Sequence, residues 1–240
     1  MKYNFAICYF GLSRSIKHVY ESHITNIFDV LKDQGFTYKI FMHTWKTKDN
    51  IQRVWQNTIN ERIDYDEYKL LNPDQYKIES QDEFLSNINM NNYYYGKKKQ
   101  REWVKELLVN HICALESQMR VYNMMINDQN TFNNVIIIRP DSKFNTPLPI
   151  NNILPLKEKE FMISDYRHYE GLNDRFCICS KEDSHIYMCR LKQMKDYRKI
   201  KSRITAESYL QYILNSNNCD IKKIKWNFDL VRPDGSHAIH

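Results

Sequence analysis

The chain has 240 residues, a length that suits one α/β domain, and 42% of them are hydrophobic, too many for a largely disordered polymer. The formal charge of +6 suits a phosphate-bearing ligand, but acidic residues are interspersed throughout and exclude a basic arm. No apolar run approaches the length of a membrane span, and the first residues lack the pattern of a signal peptide.

Tyr3 to Phe10 reads as a buried first strand ended by Gly11. Ser13 and Ser15 are placed to cap a helix whose apolar residues, Ile16, Val19, Ile24, Ile27, Phe28 and Leu31, recur at helical spacing until Gly35. Phe36 to His43 returns to strand character and ends in His43-Thr44-Trp45. Such a strand, helix, strand unit predicts a parallel sheet. Short helical patterns follow at Gln52 to Ile63 and Gln81 to Ile88, with a strand at Tyr76 to Ile78 between them. Arg101 to Asn127 is the longest helical pattern, with Trp103, Leu107, Leu108, Ile112, Leu115, Met119, Tyr122 and Ile126 on one side.

Val135 to Ile138 is a β-branched run of the kind found in central strands covered on both faces. Strands are expected at Glu160 to Asp165 and Arg175 to Ser180, and helices at Lys181 to Lys195 and, capped by Thr205, at Ala206 to Asn215. Two short strands, Ile221 to Trp226 and Asp229 to Val231, close the pattern. No linker of Gly and Ser divides the chain, so residues 1–240 are read as a single domain. Six cysteines form no CxxC pair, and Cys177 and Cys179 share one face of a strand, which suits reduced core thiols.

Chemistry is expected where the most apolar strand meets charge. In open parallel sheets ligands bind beyond the carboxyl ends of the strands. Arg139-Pro140-Asp141 stands at that end of Val135 to Ile138, and its carboxylate would suit Mg²⁺ or Mn²⁺. A turn cap is the plainer reading of the same residues. Arg232-Pro233-Asp234 repeats the tripeptide before Gly235, where a turn explains it. A second candidate is Phe10-Gly11-Leu12-Ser13-Arg14, a glycine turn leading to a helix N-terminus with Arg14 adding charge.

The order of four short motifs carries a resemblance. They are Phe10-Gly11-Leu12-Ser13-Arg14, Phe41-Met42-His43-Thr44-Trp45, Ile138-Arg139-Pro140-Asp141 and Asn173-Asp174-Arg175-Phe176. The chain resembles a group of glycosyltransferases from large DNA viruses and microbes, nucleotide-sugar enzymes of the A-type fold. That resemblance implies a three-layer, Rossmann-like α/β domain with a mostly parallel central sheet. It further implies a nucleotide-sugar donor, UDP- or GDP-linked, a glycan or other hydroxyl acceptor, and a Mn²⁺ or Mg²⁺ cofactor. In such enzymes an Asp-x-Asp motif binds metal and diphosphate; here only Asp141 is present, and Lys143 stands in place of the second carboxylate.

On this resemblance Gly11 and Arg14 lie against the nucleotide, Arg139, Asp141 and Lys143 near the diphosphate, and Asp165 at the same cleft. Asp174 is the first choice for the base that deprotonates the acceptor of an inverting transferase, and Glu207 the second. Asp141 and the late His237 would hold the metal, with His240 further along. His43 is expected to hydrogen-bond at its strand end, and Trp45 to pack in the core. The expected location is the cytoplasm, that of a host if the chain is viral. Two rivals are a sulfotransferase, which needs no metal, and a nucleic-acid-binding module built on Tyr93 to Tyr95 and Lys97 to Lys99.

Overall fold

The first apolar run folds as β1 (Asn4–Gly11), which is buried at every position between its ends. The computed structural model describes residues 4–47, 51–54, 57–93, 103–201 and 204–237, with backbone alone at 51–54, 57–62 and 103–105. After β1 the chain enters α1 (Ile16–His23), a π turn (Ile24–Phe28) and α2 (Asp29–Asp33), then returns as β2 (Thr37–Lys46) parallel to β1. The expected caps at Ser13 and Ser15 do not form. Ser15 is left-handed (φ 69°), both hydroxyls are buried without a partner, and the Ser13 N–H donates instead to Thr44 Oγ1 (2.8 Å).

Residues expected to be helical between Gln52 and Ile63 form a hairpin, β3 (Ile51–Val54) and β4 (Asn57–Arg62). Ile51, Val54, Thr58 and Ile59 are β-branched and favour extended backbone over a short helix. β5 (Gln75–Ser80) then joins the parallel side of the main sheet beside β2, and Ser80 caps α3 (Gln81–Ser86) by accepting the Glu83 N–H.

α4 (Trp103–Ile126) lies across β1 and β2 as expected, but its buried stripe is Leu108, Ile112, Leu115, Val121 and Met125. Leu107 and Ile126 face solvent, because a 3.6-residue repeat over this length puts them off the stripe. β6 (Asn134–Ile138) is buried throughout, and β7 (Ser142–Phe144) follows directly.

Beyond them come β8 (Glu160–Ser164) and β9 (Phe176–Ser180). The single helix expected from Lys181 to Lys195 is broken into α5 (Ser184–Met188), a 3₁₀ turn at Arg190–Gln193 and α6 (Met194–Ile200). The break has a local cause. Arg190 is fully buried and its guanidinium takes the Tyr187 carbonyl, an acceptor that a continuing helix would need. α7 (Ala206–Ser216) starts at Thr205, whose Oγ1 accepts the Ser208 N–H (3.4 Å). β10 (Asp220–Ile224) and β11 (Phe228–Leu230) complete the elements.

The main sheet has seven strands in the order β10-β8-β9-β6-β1-β2-β5, and only β9 runs against the rest. One core packs α4, α5 and α7 on one face; a second packs α1 and the Trp226 region on the other. This is the expected three-layer α/β architecture with a mostly parallel sheet. β11 pairs with β7 in a separate two-stranded sheet, where Phe144 stacks on Trp226 at 4.0 Å between ring centroids. From β1 the chain builds outward through β2 to β5, then crosses to β6 on the other side, so the carboxyl ends of β1 and β6 flank the switch point.

Candidate active site

At the end of β1, Gly11 takes φ +102°, which L side chains rarely adopt, and its N–H donates to Ser117 Oγ on α4 (2.8 Å). The same hydroxyl meets His43 Nδ1 at 2.8 Å, and His43 Nε2 meets Glu79 at 3.2 Å. Burial pushes the His43 imidazole down to about 4, with Arg120 adding to the effect. A neutral ring that donates from Nε2 to Glu79 accepts at Nδ1 from the Ser117 hydroxyl. Trp45 is 1% exposed and donates to the Cys113 carbonyl, so it packs in the core beneath α4.

β6 ends at Arg139, whose N–H donates to the Arg175 carbonyl (3.2 Å) and so continues the antiparallel pairing with β9 by one step. Pro140 then turns the chain and places Asp141 behind two guanidinium groups. Asp141 Oδ1 accepts from Arg139 Nε (3.0 Å), and Oδ2 accepts from Arg139 Nη2 (2.6 Å) and Arg14 Nη2 (3.3 Å). Side-chain exposure is 3% for Asp141, 18% for Arg14 and 28% for Arg139, so the cations stand in front and the carboxylate behind. Burial works to raise the Asp141 carboxyl, but Arg139 and Arg14 outweigh it and hold the group below its ordinary value. Burial lowers Arg14 to about 10 against the pull of Asp141.

His23 supports this turn from below. Its Nε2 donates to the Ser142 carbonyl (2.6 Å), which leaves Nδ1 to accept from the Tyr9 hydroxyl (2.8 Å). Burial pushes it down to about 4, so a neutral ring locks β7 to β1 next to Asp141.

Asp174 and Glu207 come to the same end of the sheet, because Asp174 lies two residues before β9 and Glu207 is in the first turn of α7. Arg175 sits between them, 3.7 Å from Asp174 Oδ1 and 3.2 Å from Glu207 Oε1. Burial raises both carboxyls, yet Arg175, His111, Arg190 and Arg139 together bring Asp174 below its ordinary value. Glu207 stays raised, by burial and by the charge of Asp174. His111 lies 4.0 Å from Asp174 and is pushed down to about 4 by burial. The two neighbouring carboxyls are thus shifted in opposite directions by the charges around them.

Gly171 fixes this loop against α7. The Leu172 N–H donates to the Glu207 carbonyl (3.0 Å), and a Cβ at Gly171 would come within 2.6 Å of the Ser208 nitrogen and closer still to that carbonyl. Gly171→Ala is therefore expected to push the loop off α7, costing roughly 1–3 kcal/mol, or about 3–10 °C in melting temperature for a domain of this size. A melting curve checks this, and an unchanged midpoint would mean the loop does not need that close approach.

The remaining sequence-derived candidates are spread around this group. Lys143 lies on β7 opposite Asp229 in the small sheet. Asp165 follows β8, where its carboxylate pairs with His168 (3.1 Å) and faces Lys223 (3.9 Å). His237 bridges to Val231 on the backbone, and its Nδ1 faces Asp229 at 3.6 Å. His240, Tyr94, Tyr95 and Lys97 to Lys99 lie outside the described residues, while Tyr93 is buried beneath α4. No spacing in the sequence singled out His111 or Arg190, and Arg175 stood out only as a member of the Asn173-Asp174-Arg175-Phe176 motif. Sequence reasoning also dismissed Arg232 as part of a turn, although the repeated tripeptide was a usable signal.

A divalent ion of the Mg²⁺ or Mn²⁺ type needs several free oxygen ligands. Both Asp141 oxygens are engaged by guanidinium groups, and an ion approaching them would meet two positive charges first. Among the described residues no three His, Cys, Asp or Glu side chains converge on a metal position. The donor set does not fit a divalent cation; it fits an anion.

Fold and site together define an α/β protein in which Arg14 and Arg139 converge on buried Asp141 at the carboxyl end of the sheet, near a second buried carboxylate, Asp174. No protein-family model matches the chain, and no curated protein matches it in sequence. Among solved structures it is similar to mouse xyloside xylosyltransferase 1 in its apo form, at 11% identity and a TM-score of 0.43, over 93% of this chain and 85% of that one. A likeness that distant says nothing of substrate or catalytic residues. Among the described residues no helix is long and apolar enough to cross a membrane, and all six cysteines are free.

Proposed function

We propose that this protein is a glycosyltransferase that moves a hexose or deoxyhexose from a UDP- or GDP-sugar to a hydroxyl of a glycan or similar acceptor. The observation that carries this reading is the arrangement of Arg14 and Arg139, held forward by buried Asp141, at the switch point and beside the Asp174 cluster. A diphosphate would lie against the two guanidinium groups, which match phosphate oxygens in geometry and charge. As the bond from sugar C1 to the phosphate oxygen breaks, its electron pair leaves with the diphosphate. The acceptor oxygen forms the new bond to C1, and its proton passes to Asp174. Arg14 and Arg139 stabilise the charge that develops on the leaving group.

The test is a melting panel of UDP- and GDP-sugars against the full chain. One of them, at about a hundred times its dissociation constant, should stabilise the protein by about 2.7 kcal/mol, which is roughly 5–10 °C here. If neither the sugars nor the free nucleoside diphosphates move the midpoint at millimolar concentration, the reading fails.

A further inference from the structure

Asp141 balances only one of the positive charges around it, and the chain brings a further one to the same place. The antiparallel pairing of β7 with β11 is prolonged by one residue, where the Val231 N–H donates to the Asp141 carbonyl (2.9 Å). Arg232 is the next residue, so the second Arg-Pro-Asp tripeptide lies alongside the first. Its backbone is held from both sides. The Arg232 N–H donates to the Ser236 carbonyl (2.8 Å), the Gly235 N–H to the Arg232 carbonyl (2.9 Å), and the Pro233 carbonyl meets His18 Nε2 on α1 (3.0 Å).

Among the described residues the side chain of Arg232 has no such anchor. The obvious partner, Asp234, spends its Oδ1 on the N–H (2.9 Å) and hydroxyl (2.6 Å) of Ser236. No carboxylate among the described residues lies within ion-pair distance of the Arg232 guanidinium, which is half-buried. After burial and Asp141, the positive charges of Arg139 and Arg232 both act on Arg14 and push it down, which places the three guanidinium groups within one another's field. Arg232 thus adds its charge beside Arg14, which shares the buried Asp141 carboxylate with Arg139. A diphosphate ester carries about two negative charges at neutral pH.

We propose that Arg232 is the third guanidinium of the diphosphate site, and that Arg14, Arg139 and Arg232 together neutralise the leaving group in place of a divalent ion. The proposal rests on the donor reading above and adds to it the way charge is balanced. It explains why a carboxylate that would otherwise suit a metal is turned inward to orient arginines. It also gives the repeated tripeptide a purpose beyond its turn, since the turn brings the charge of Arg232 to bear on Arg14.

The experiment is calorimetric titration of the full chain with UDP, GDP and inorganic pyrophosphate, each in EDTA and in Mn²⁺. The expected result is binding in EDTA within about threefold of that in Mn²⁺. Arg232→Gln should weaken every diphosphate by about tenfold, and Arg232→Lys by less, as expected for loss of one charge-assisted contact. Melting curves establish that both variants are folded. Binding by wild type that disappears in EDTA would overturn the proposal while leaving the donor reading intact, and so would a folded Arg232→Gln variant that binds like wild type. If no diphosphate binds under either condition, the donor reading falls and this proposal falls with it.

Discussion

Asp141→Ala is expected to lower the melting temperature by about 5–10 °C and to make the protein unusually responsive to added anions. Removing one member of a buried ion pair typically costs roughly 3–5 kcal/mol, because the partner is left charged and unsatisfied. Here two guanidinium groups lose their shared acceptor, but they retain 18% and 28% exposure, and solvent screens part of the loss. With that screening the expected cost falls to about 2–3 kcal/mol. Pyrophosphate should return more of the lost stability to the variant than it adds to wild type, since an anion can replace the missing carboxylate. A variant that melts within about 1 °C of wild type would show that Asp141 does not organise the two arginines.

Asp174→Asn is expected to reduce sugar transfer by about a thousandfold while leaving nucleotide-sugar binding within a few-fold of wild type. The substitution keeps shape and removes the proton acceptor. Its charge is not needed to hold Arg175, which keeps Glu207 at 3.2 Å. The carboxyl of Asp174 lies below its ordinary value, against the effect of burial, because Arg175, His111, Arg190 and Arg139 surround it. It is therefore ionised at neutral pH. Glu207, with its carboxyl raised by burial and by Asp174, is the more basic of the two but accepts from Arg175 at 3.2 Å. Transfer assays paired with donor titrations separate the two effects. A variant that keeps more than about a tenth of wild-type transfer would remove Asp174 from the base role.

Several features were readable along the chain because they depend on neighbours in sequence. The β-branched run from Val135 to Ile138 announced a strand covered on both faces, and it lies at the middle of the sheet. Thr205 before Ala206 announced a capped helix, and its hydroxyl accepts the Ser208 N–H. The alternation of strand and helix from Tyr3 to His43 announced parallel pairing, seen as β1 against β2. Where local signals were mixed, the reading went astray. Between Ile51 and Arg62 a weak helical period competed with β-branched residues, and the hairpin won. After Lys181 a continuous helical period was broken by one arginine that had to be buried.

The sequence by itself determined the class of fold and the positions where charge meets the carboxyl ends of strands, because hydrophobic period and caps act over a few residues. Only the tertiary structure decided which charges meet. Arg14 reaches the Asp141 carboxylate across 127 positions, and the Val231 N–H reaches the Asp141 carbonyl from near the other end of the chain. No local pattern records such a meeting, since an arginine bound to solvent and one facing a buried carboxylate look the same in sequence. Burial and proximity set their energies, and both arise only when the sheet has closed.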